Sequence, residues 1–249
     1  MITFSRQVRR TCPGGTMAVR QFLTRLLAAA ITLAAVPAAF ACSFEQPPAE
    51  RAASCNRLLA RSINFGNMLD HAREGMAGPM LRDEFIVLTA QAGFTAIRLP
   101  IRWDARAGVQ PPYRIAPDFF ERVDGVVKLA LQHRPAVILD MHHYANMMLE
   151  PEAERERFVA VWRQVAEHYR DAPATVMFEL LNEPNRELTR SRWNDALAAV
   201  LPVVRQSNPQ RTLIIGGGDW NSGPALEDWR CRPTTATSSP PSTTTRQWR

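Results

Sequence analysis

The stretch Val176-Met177-Phe178-Glu179-Leu180-Leu181-Asn182-Glu183-Pro184-Asn185 decides how the rest of the chain is read. Val176 to Leu181 is a short apolar run that begins with β-forming residues, and Pro184, with no amide hydrogen to donate, cannot continue a central strand. Asn182 and Glu183 are therefore expected at the C-terminal end of a buried strand. In parallel α/β architectures that edge is where ligands bind, so a carboxylate delivered there points to chemistry. Alternation along the strand places Glu179, Leu181 and Glu183 on one face and Phe178, Leu180 and Asn182 on the other, until the strand ends. Glu179 then points into an apolar interior, where a charge is costly unless a cation meets it.

The same pattern repeats on either side. Ile63 to Leu69 reads as strand one and Leu81 to Ala92 as a helix, with Leu81, Phe85 and Leu88 at helical spacing and Gly93 closing it. Thr95 to Pro100 is strand two, and Pro117 to His133 a helix with Phe119, Val123, Val126, Val127 and Ala130 on one stripe. Ala136 to His143 is strand three, followed by a helix from Glu152 to Tyr169. After the opening stretch come a helix over about 191–206 and strand five, Thr212 to Gly218. Apolar strands alternating with amphipathic helices imply parallel βα units, either an open doubly wound sheet or a (β/α)8 TIM barrel. A dinucleotide fold needs a glycine-rich phosphate turn after strand one, and none is present. Polar residues instead cluster at strand ends, as a barrel's catalytic face requires: Arg98, His142, His143, Asn182, Glu183, Asp219 and Trp220.

The net charge of +6, from 30 basic and 24 acidic residues, suggests a polyanionic partner until its location is considered. Residues 1–41 and 231–249 hold eight of the basic residues and no acid, which leaves the middle of the chain slightly negative. Nucleic acid is excluded as a partner on that ground. Met17 to Ala41 reads as a secretory signal, with Arg20 and Arg25 ahead of an apolar core and Ala39-Phe40-Ala41 as the cleavage site. Domain boundaries are accordingly set at 1–41 for the leader, 42–230 for the barrel portion and 231–249 for the tail. The mature protein is expected to be secreted or periplasmic, monomeric and free of the membrane. A lipidated Cys42 is the competing reading, and Phe40 fits it poorly. In an oxidising compartment Cys42 and Cys55 could close a small loop before strand one. His142 and His143 with Asp140 could form a metal cluster, but adjacent histidines on a strand point to opposite sides, so no metal and no cofactor is expected. Trp103, Tyr144 and Trp220 lie just past strand ends, where rings can stack on sugars or simply pack.

Four segments resemble glycoside hydrolase family five, the retaining cellulase-like (β/α) barrels. They are Ala96-Ile97-Arg98-Leu99-Pro100, Leu139-Asp140-Met141-His142-His143, Phe178-Glu179-Leu180-Leu181-Asn182-Glu183-Pro184, and Ile215-Gly216-Gly217 with Asn221-Ser222. The resemblance covers about residues 62–230. It implies an O-glycosyl hydrolase acting on a β-linked polysaccharide or oligosaccharide, with Glu183 as general acid/base and Asn182 holding the sugar 2-hydroxyl. Arg98, His142, His143 and Trp220 would belong to the substrate-binding shell, with Arg98 also the best cation to pair with Glu179. A general acid working near neutral pH needs a raised pKa, which a water-poor cleft with a second carboxylate nearby supplies.

The chain departs from that pattern after Trp229. The family takes its nucleophilic glutamate from strand seven, and the residues 231–249, rich in Ser, Thr and Pro, carry no acid and no apolar period. One reading is a linker to a lost binding module. The other is a frameshift near codon 230: threonine codons shifted by one nucleotide encode His, Tyr, Asn or Asp, and the family expects His and Tyr on strand six. About five of eight βα units are then present, the barrel is incomplete, and the product is expected to be poorly soluble and catalytically negligible. A non-catalytic carbohydrate-binding remnant is the alternative function, and a metal-dependent barrel hydrolase a third.

Overall fold

The computed structural model describes residues 42–227. The leader and the tail of the preceding section lie outside the described residues. A helix α1 (Pro48–Leu58) precedes β1 (Ser62–Asn64), which is followed by α2 (Asp83–Gln91), β2 (Ala96–Ile101), α3 (Pro117–Gln132) and β3 (Ala136–Met141). Then come α4 (Ala145–Leu149), α5 (Pro151–His168), β4 (Val176–Glu179), α6 (Arg190–Ser207) and β5 (Leu213–Ile214). The five strands form one parallel sheet in the order β1-β2-β3-β4-β5. Spatial order equal to chain order decides between the two expected architectures. A doubly wound sheet reverses its strand order at a switch point, whereas a barrel adds each unit beside the last. The described residues are thus an incomplete (β/α)8 barrel, five consecutive units with β1 and β5 as its outer strands.

Strand alternation sorts the interior into two layers. Ile97, Leu99, Ile101, Val137, Leu139, Met141, Val176 and Phe178 face outward and join the helices in the main core. The complementary face carries Ala96, Ala136, Ile138, Met177 and Ile214, which meet Cys42, Cys55 and Leu59 from the region of α1. Arg98, Asp140 and Glu179 fall on that same inner face, two residues further along each strand than Ala96, Ile138 and Met177. The inner face is therefore apolar at its N-terminal end, where α1 covers it, and charged at its C-terminal end. Arg211 anchors the underside: 1% exposed, it donates to the carbonyls of Tyr169, Ala172, Pro173 and Val176 at 2.7–3.0 Å. These acceptors include the end of α5, where a cation is favoured by the helix dipole.

Helix α3 buries the expected stripe, Phe119, Val123, Val126, Val127 and Ala130. Helix α2 does not: Leu88 is 59% exposed, and Ile86 and Thr89 are buried in its place. The helix begins at Asp83, so Leu81 precedes it and cannot define its face. β1 is also shorter than expected, with Leu69 returning only as a single bridge to Ile101. β4 ends at Glu179, before Asn182. Trp103 is fully buried against Phe119 and Phe120, which makes it a packing residue.

Cys42 and Cys55 form a disulfide across a sequence separation of 13, and Thr212 donates to the Cys55 sulfur from beside β5. The loop-entropy contribution of a closure this size is about 3 kcal/mol. Reduction with dithiothreitol, or Cys55→Ala, is expected to lower the unfolding free energy by about 2–3 kcal/mol and to shift the urea midpoint downward accordingly. An unchanged midpoint after reduction would show that the link between α1 and the barrel floor contributes nothing.

Candidate active site

Arg98 projects from β2 into the charged end of the inner face, and its neighbours converge on it. Its Nε donates to Glu179 Oε2 at 2.7 Å and its Nη2 to Glu179 Oε1 at 2.8 Å, a bidentate pair. Nη2 also approaches Asp140 Oδ2 at 2.8 Å and Asn182 Oδ1 at 2.9 Å, and Nη1 donates to Asn64 Oδ1 at 2.9 Å. The interior charge at Glu179 thus meets the cation that burial requires. Asp140 is a second buried carboxylate on the same guanidinium, and its burial signal, an acid inside Ile138-Leu139-Asp140-Met141, is the same as that of Glu179.

One arginine faces two buried acids, and the protonation equilibria reflect it. Burial pushes Asp140 up to about 7 against the pull of Arg98, with Asp70 and Glu183 adding repulsion. Burial likewise raises Glu179 to about 7, with Asp140 adding to it and Arg98 opposing. For Arg98 burial works against the charge, but its hydrogen bonds to Glu179 and the charges of Asp140 and Glu179 outweigh it, so the guanidinium stays protonated. His142 Nδ1 lies 2.6 Å from Asp140 Oδ2. Burial and then the Arg98 charge lower the His142 pKa to about 4, so its imidazole is neutral near pH 7. With Nδ1–H donating to the carboxylate, the Nε2 lone pair is left for another partner.

Beside this network, at the C-terminal ends of the strands, a cavity of about 450 Å³ is lined by His142, His143, Asn182, Glu183 and Trp220 among others. Tyr144, Arg102, His71 and Asn185 complete much of its wall, and Glu183 is its only lining carboxylate among the described residues. Arg98 does not line it. Its guanidinium meets the side chains of Glu179, Asp140, Asn182 and Asn64, which places Arg98 as a positioning residue acting through Asn182. Asn182 also departs from its expected face: it shares Arg98 with Glu179, because the chain leaves the pleat once β4 has ended at Glu179. The expected opposition of His142 and His143 fails for the same reason. β3 ends at Met141, the two rings lie 4.6 Å apart, and both reach the cavity.

Glu183 is exposed and adopts a left-handed backbone at φ 47°, which turns the chain sharply after the strand. The segment after β5 holds that turn. Trp220 N–H donates to Pro184 O at 2.9 Å, and Asn221 accepts from Glu183 N–H at 3.2 Å while donating to Gly217 O at 3.0 Å. Asn221 sits so close to Gly216 that a Cβ there would collide with its amide. Asp219, Trp220 and Asn221 all have positive φ, a left-handed turn uncommon for residues with side chains, and Arg190 pairs with Asp219 at 2.6 Å beside it. This turn leaves Trp220 59% exposed on the cavity wall. Tyr144 is nearly buried, with its hydroxyl donating to Glu154 at 2.7 Å.

The residues matched by the family Cellulase (glycosyl hydrolase family 5) run from 63 to 246. The chain belongs to glycosyl hydrolase family 5. Among curated relatives, Endoglucanase H of Acetivibrio thermocellus is 32% identical over 166 residues, 67% of this chain and 18% of that protein. Among solved structures, endoglucanase Cel5A of Thermotoga maritima is similar with a TM-score of 0.74 and 39% identity, over 78% of this chain and 61% of that one. The same Cel5A in complex with mannotriose gives a TM-score of 0.72 and 40% identity over 76% and 60% of the two chains. This family-5 chain therefore spans less than two thirds of each of these proteins.

The shared charge on Arg98 has a sign that can be measured. Asp140 and Glu179 bind protons more tightly when folded than when unfolded, so their contribution to stability is complete below about pH 4 and lost as the pH rises through about 7. Asp140→Asn removes one acid, while its amide oxygen can still accept from Arg98 and His142. The variant is expected to melt about 2–4 °C above the parent at pH 8, equivalent to ~1 kcal/mol at this size, with the gap closing toward pH 4. A gap that widens on acidification, measured by thermal melting across that range, would contradict the assignment.

Proposed function

We propose that this cavity is the acid/base half of a retaining β-glycan hydrolase site, and that the substrate is a β-linked glucan or related polysaccharide. The observation that carries the reading is the arrangement around the β4 turn. Glu183 stands on the cavity wall next to Asn182, whose amide oxygen is held by Arg98, with Trp220 exposed beside them. Holding Oδ1 leaves the Asn182 NH2 to donate to a sugar hydroxyl, a bond that strengthens as charge develops at the neighbouring carbon. His142 offers Nε2 to a second hydroxyl, and Trp220 offers a ring face. In the first step a nucleophile bonds to the anomeric carbon as the bond to the leaving sugar breaks and Glu183 gives its proton to the glycosidic oxygen; in the second Glu183 takes a proton from the water that displaces the nucleophile.

Family membership supports this reading, as do the similarity to Endoglucanase H and the Cel5A complexes with cellobiose and mannotriose. A retaining mechanism also needs a nucleophilic carboxylate about 5–5.5 Å from the acid. Glu183 has no such partner on the cavity wall among the described residues, which are accordingly read as the sugar-binding and proton-donating half of the site. The disulfide and the signal-like leader favour secretion or export to the periplasm. Among the described residues no helix is long and apolar enough to cross a membrane. We read the protein as a monomer without a nucleic-acid or lipid partner.

An external nucleophile separates this reading from a binding remnant. The chain alone is expected to bind cellotriose by calorimetry without releasing reducing sugar from carboxymethyl cellulose. Added azide should then attack the anomeric carbon of phenyl β-cellobioside, whose poor leaving group needs an acid, from the face opposite that group, with Glu183 protonating the departing phenoxide. Glu183→Gln should abolish that rescued cleavage, and Trp220→Ala should weaken cellotriose binding by about 3–10-fold, the worth of an aromatic stack. Binding with no azide rescue would instead point to a non-catalytic carbohydrate-binding protein. Turnover without azide would show that a nucleophile is present after all.

A further inference from the structure

One edge of the same cavity carries a second constellation, which includes His143 of the expected substrate-binding shell. Asp70 and His71 lie in the loop after β1, which is fastened over the sheet by the Leu69–Ile101 bridge and by Arg102 N–H donating to Leu69 O at 2.9 Å. His143 follows β3. A carboxylate oxygen of Asp70 and a ring nitrogen of each histidine all lie within 4.8 Å of one another. Asp70 is 2% exposed, and its Oδ2 accepts from Asn67 N–H at 3.1 Å. Its Oδ1 is buried and has no hydrogen-bond partner. A buried oxygen left without a donor is costly, and a bound cation is one group that would meet it, with His142 Nε2 3.9 Å from the other oxygen of the same carboxylate.

We propose that Asp70, His71 and His143 bind one divalent transition-metal ion of the zinc class. One carboxylate and two imidazoles are a donor set suited to zinc, nickel or copper and unsuited to the all-oxygen preference of magnesium or calcium. Ligand bonds of about 2.0–2.2 Å bring donor atoms to roughly 3–3.5 Å of each other in a tetrahedron, so the cluster has to contract by about 1.5 Å. The histidines can supply that movement, since His71 is half-buried and His143 exposed. His71 Nε2 lies 3.4 Å from Asn67 Oδ1, an acceptor able to hold the ring while Nδ1 ligates. Arg102, a cation of the same cavity wall, turns its Nε toward Asp104 Oδ1 at 3.4 Å. A water from the cavity completes the fourth position. The site shares His143 with the expected substrate-binding shell, and metal binding is read apart from the glycosidase reading because its measurement needs no sugar.

Equilibrium dialysis of the purified chain against zinc at neutral pH, with the metal quantified, tests the proposal. The chain should carry Cys12→Ser and Cys231→Ser, so that these two thiols do not compete. One zinc per chain is expected, and His71→Gln and His143→Gln should each weaken binding by about tenfold or more, since even an outer partner of a ligand is worth 10–100-fold. His168→Gln, which alters a histidine paired with Asp124, should leave binding unchanged. Circular dichroism shows whether the variants are folded, and cobalt substituted for zinc should give visible d–d absorption that His71→Gln removes. No saturable binding, or equal affinity in all the variants, would overturn the site.

Discussion

The interior of this barrel portion depends on one guanidinium. Arg98 is the cation for two buried carboxylates, Glu179 and Asp140, and it also fixes the side-chain oxygens of Asn64 and Asn182. Four strands, β1 to β4, thereby send a polar group to one point on the inner face. In an apolar interior such a cluster is favourable only if every charge is met, and one positive charge for two acids leaves it short. Burial, with the repulsion between the two acids added to it, raises both to about 7 against the pull of Arg98, so protonation takes up the deficit. Arg98 also ties the charged layer to the chemistry, because the atom it holds on Asn182 belongs to the residue next to Glu183.

The catalytic edge is built where regular structure stops. Each strand that contributes to it ends before the side chains that line the cavity, so those side chains obey local turns in place of the pleat. Glu183 at φ 47° and the left-handed Asp219-Trp220-Asn221 turn are coupled by two backbone contacts, so the position of the acid depends on the segment after β5 as much as on β4. Backbone conformations of this kind cost of order 1–3 kcal/mol each and persist when their surroundings over-determine them.

Much of this was legible in the sequence, and the limits have physical causes. The period of apolar runs announced parallel βα units, and Pro184 announced the strand end that bears Asn182 and Glu183. The need for a cation at Glu179 followed from its place in an apolar run, with Arg98 the candidate. The alternation rule failed at Asn182 and at His142-His143, because it was carried past strand ends at Glu179 and Met141. The α2 face was misread from Leu88, since Leu81 stands ahead of the helix. Asp140 carried the same signal as Glu179 and was legible, though it was weighed only as a metal ligand. Asp70 and His71 had no periodic signature; only the fold brings their loop to the end of β3.

The central claim is that Arg98 and Glu179 act as one unit, and a double-mutant cycle of Arg98→Lys and Glu179→Gln, read by urea unfolding at pH 8, tests it most directly. Lysine keeps the charge but loses the planar fork, and glutamine keeps the shape but loses the charge. The two changes should couple by about 1–3 kcal/mol. Additivity within ~0.5 kcal/mol would mean that the two side chains contribute separately, and that the inner face is held together by something other than this arginine.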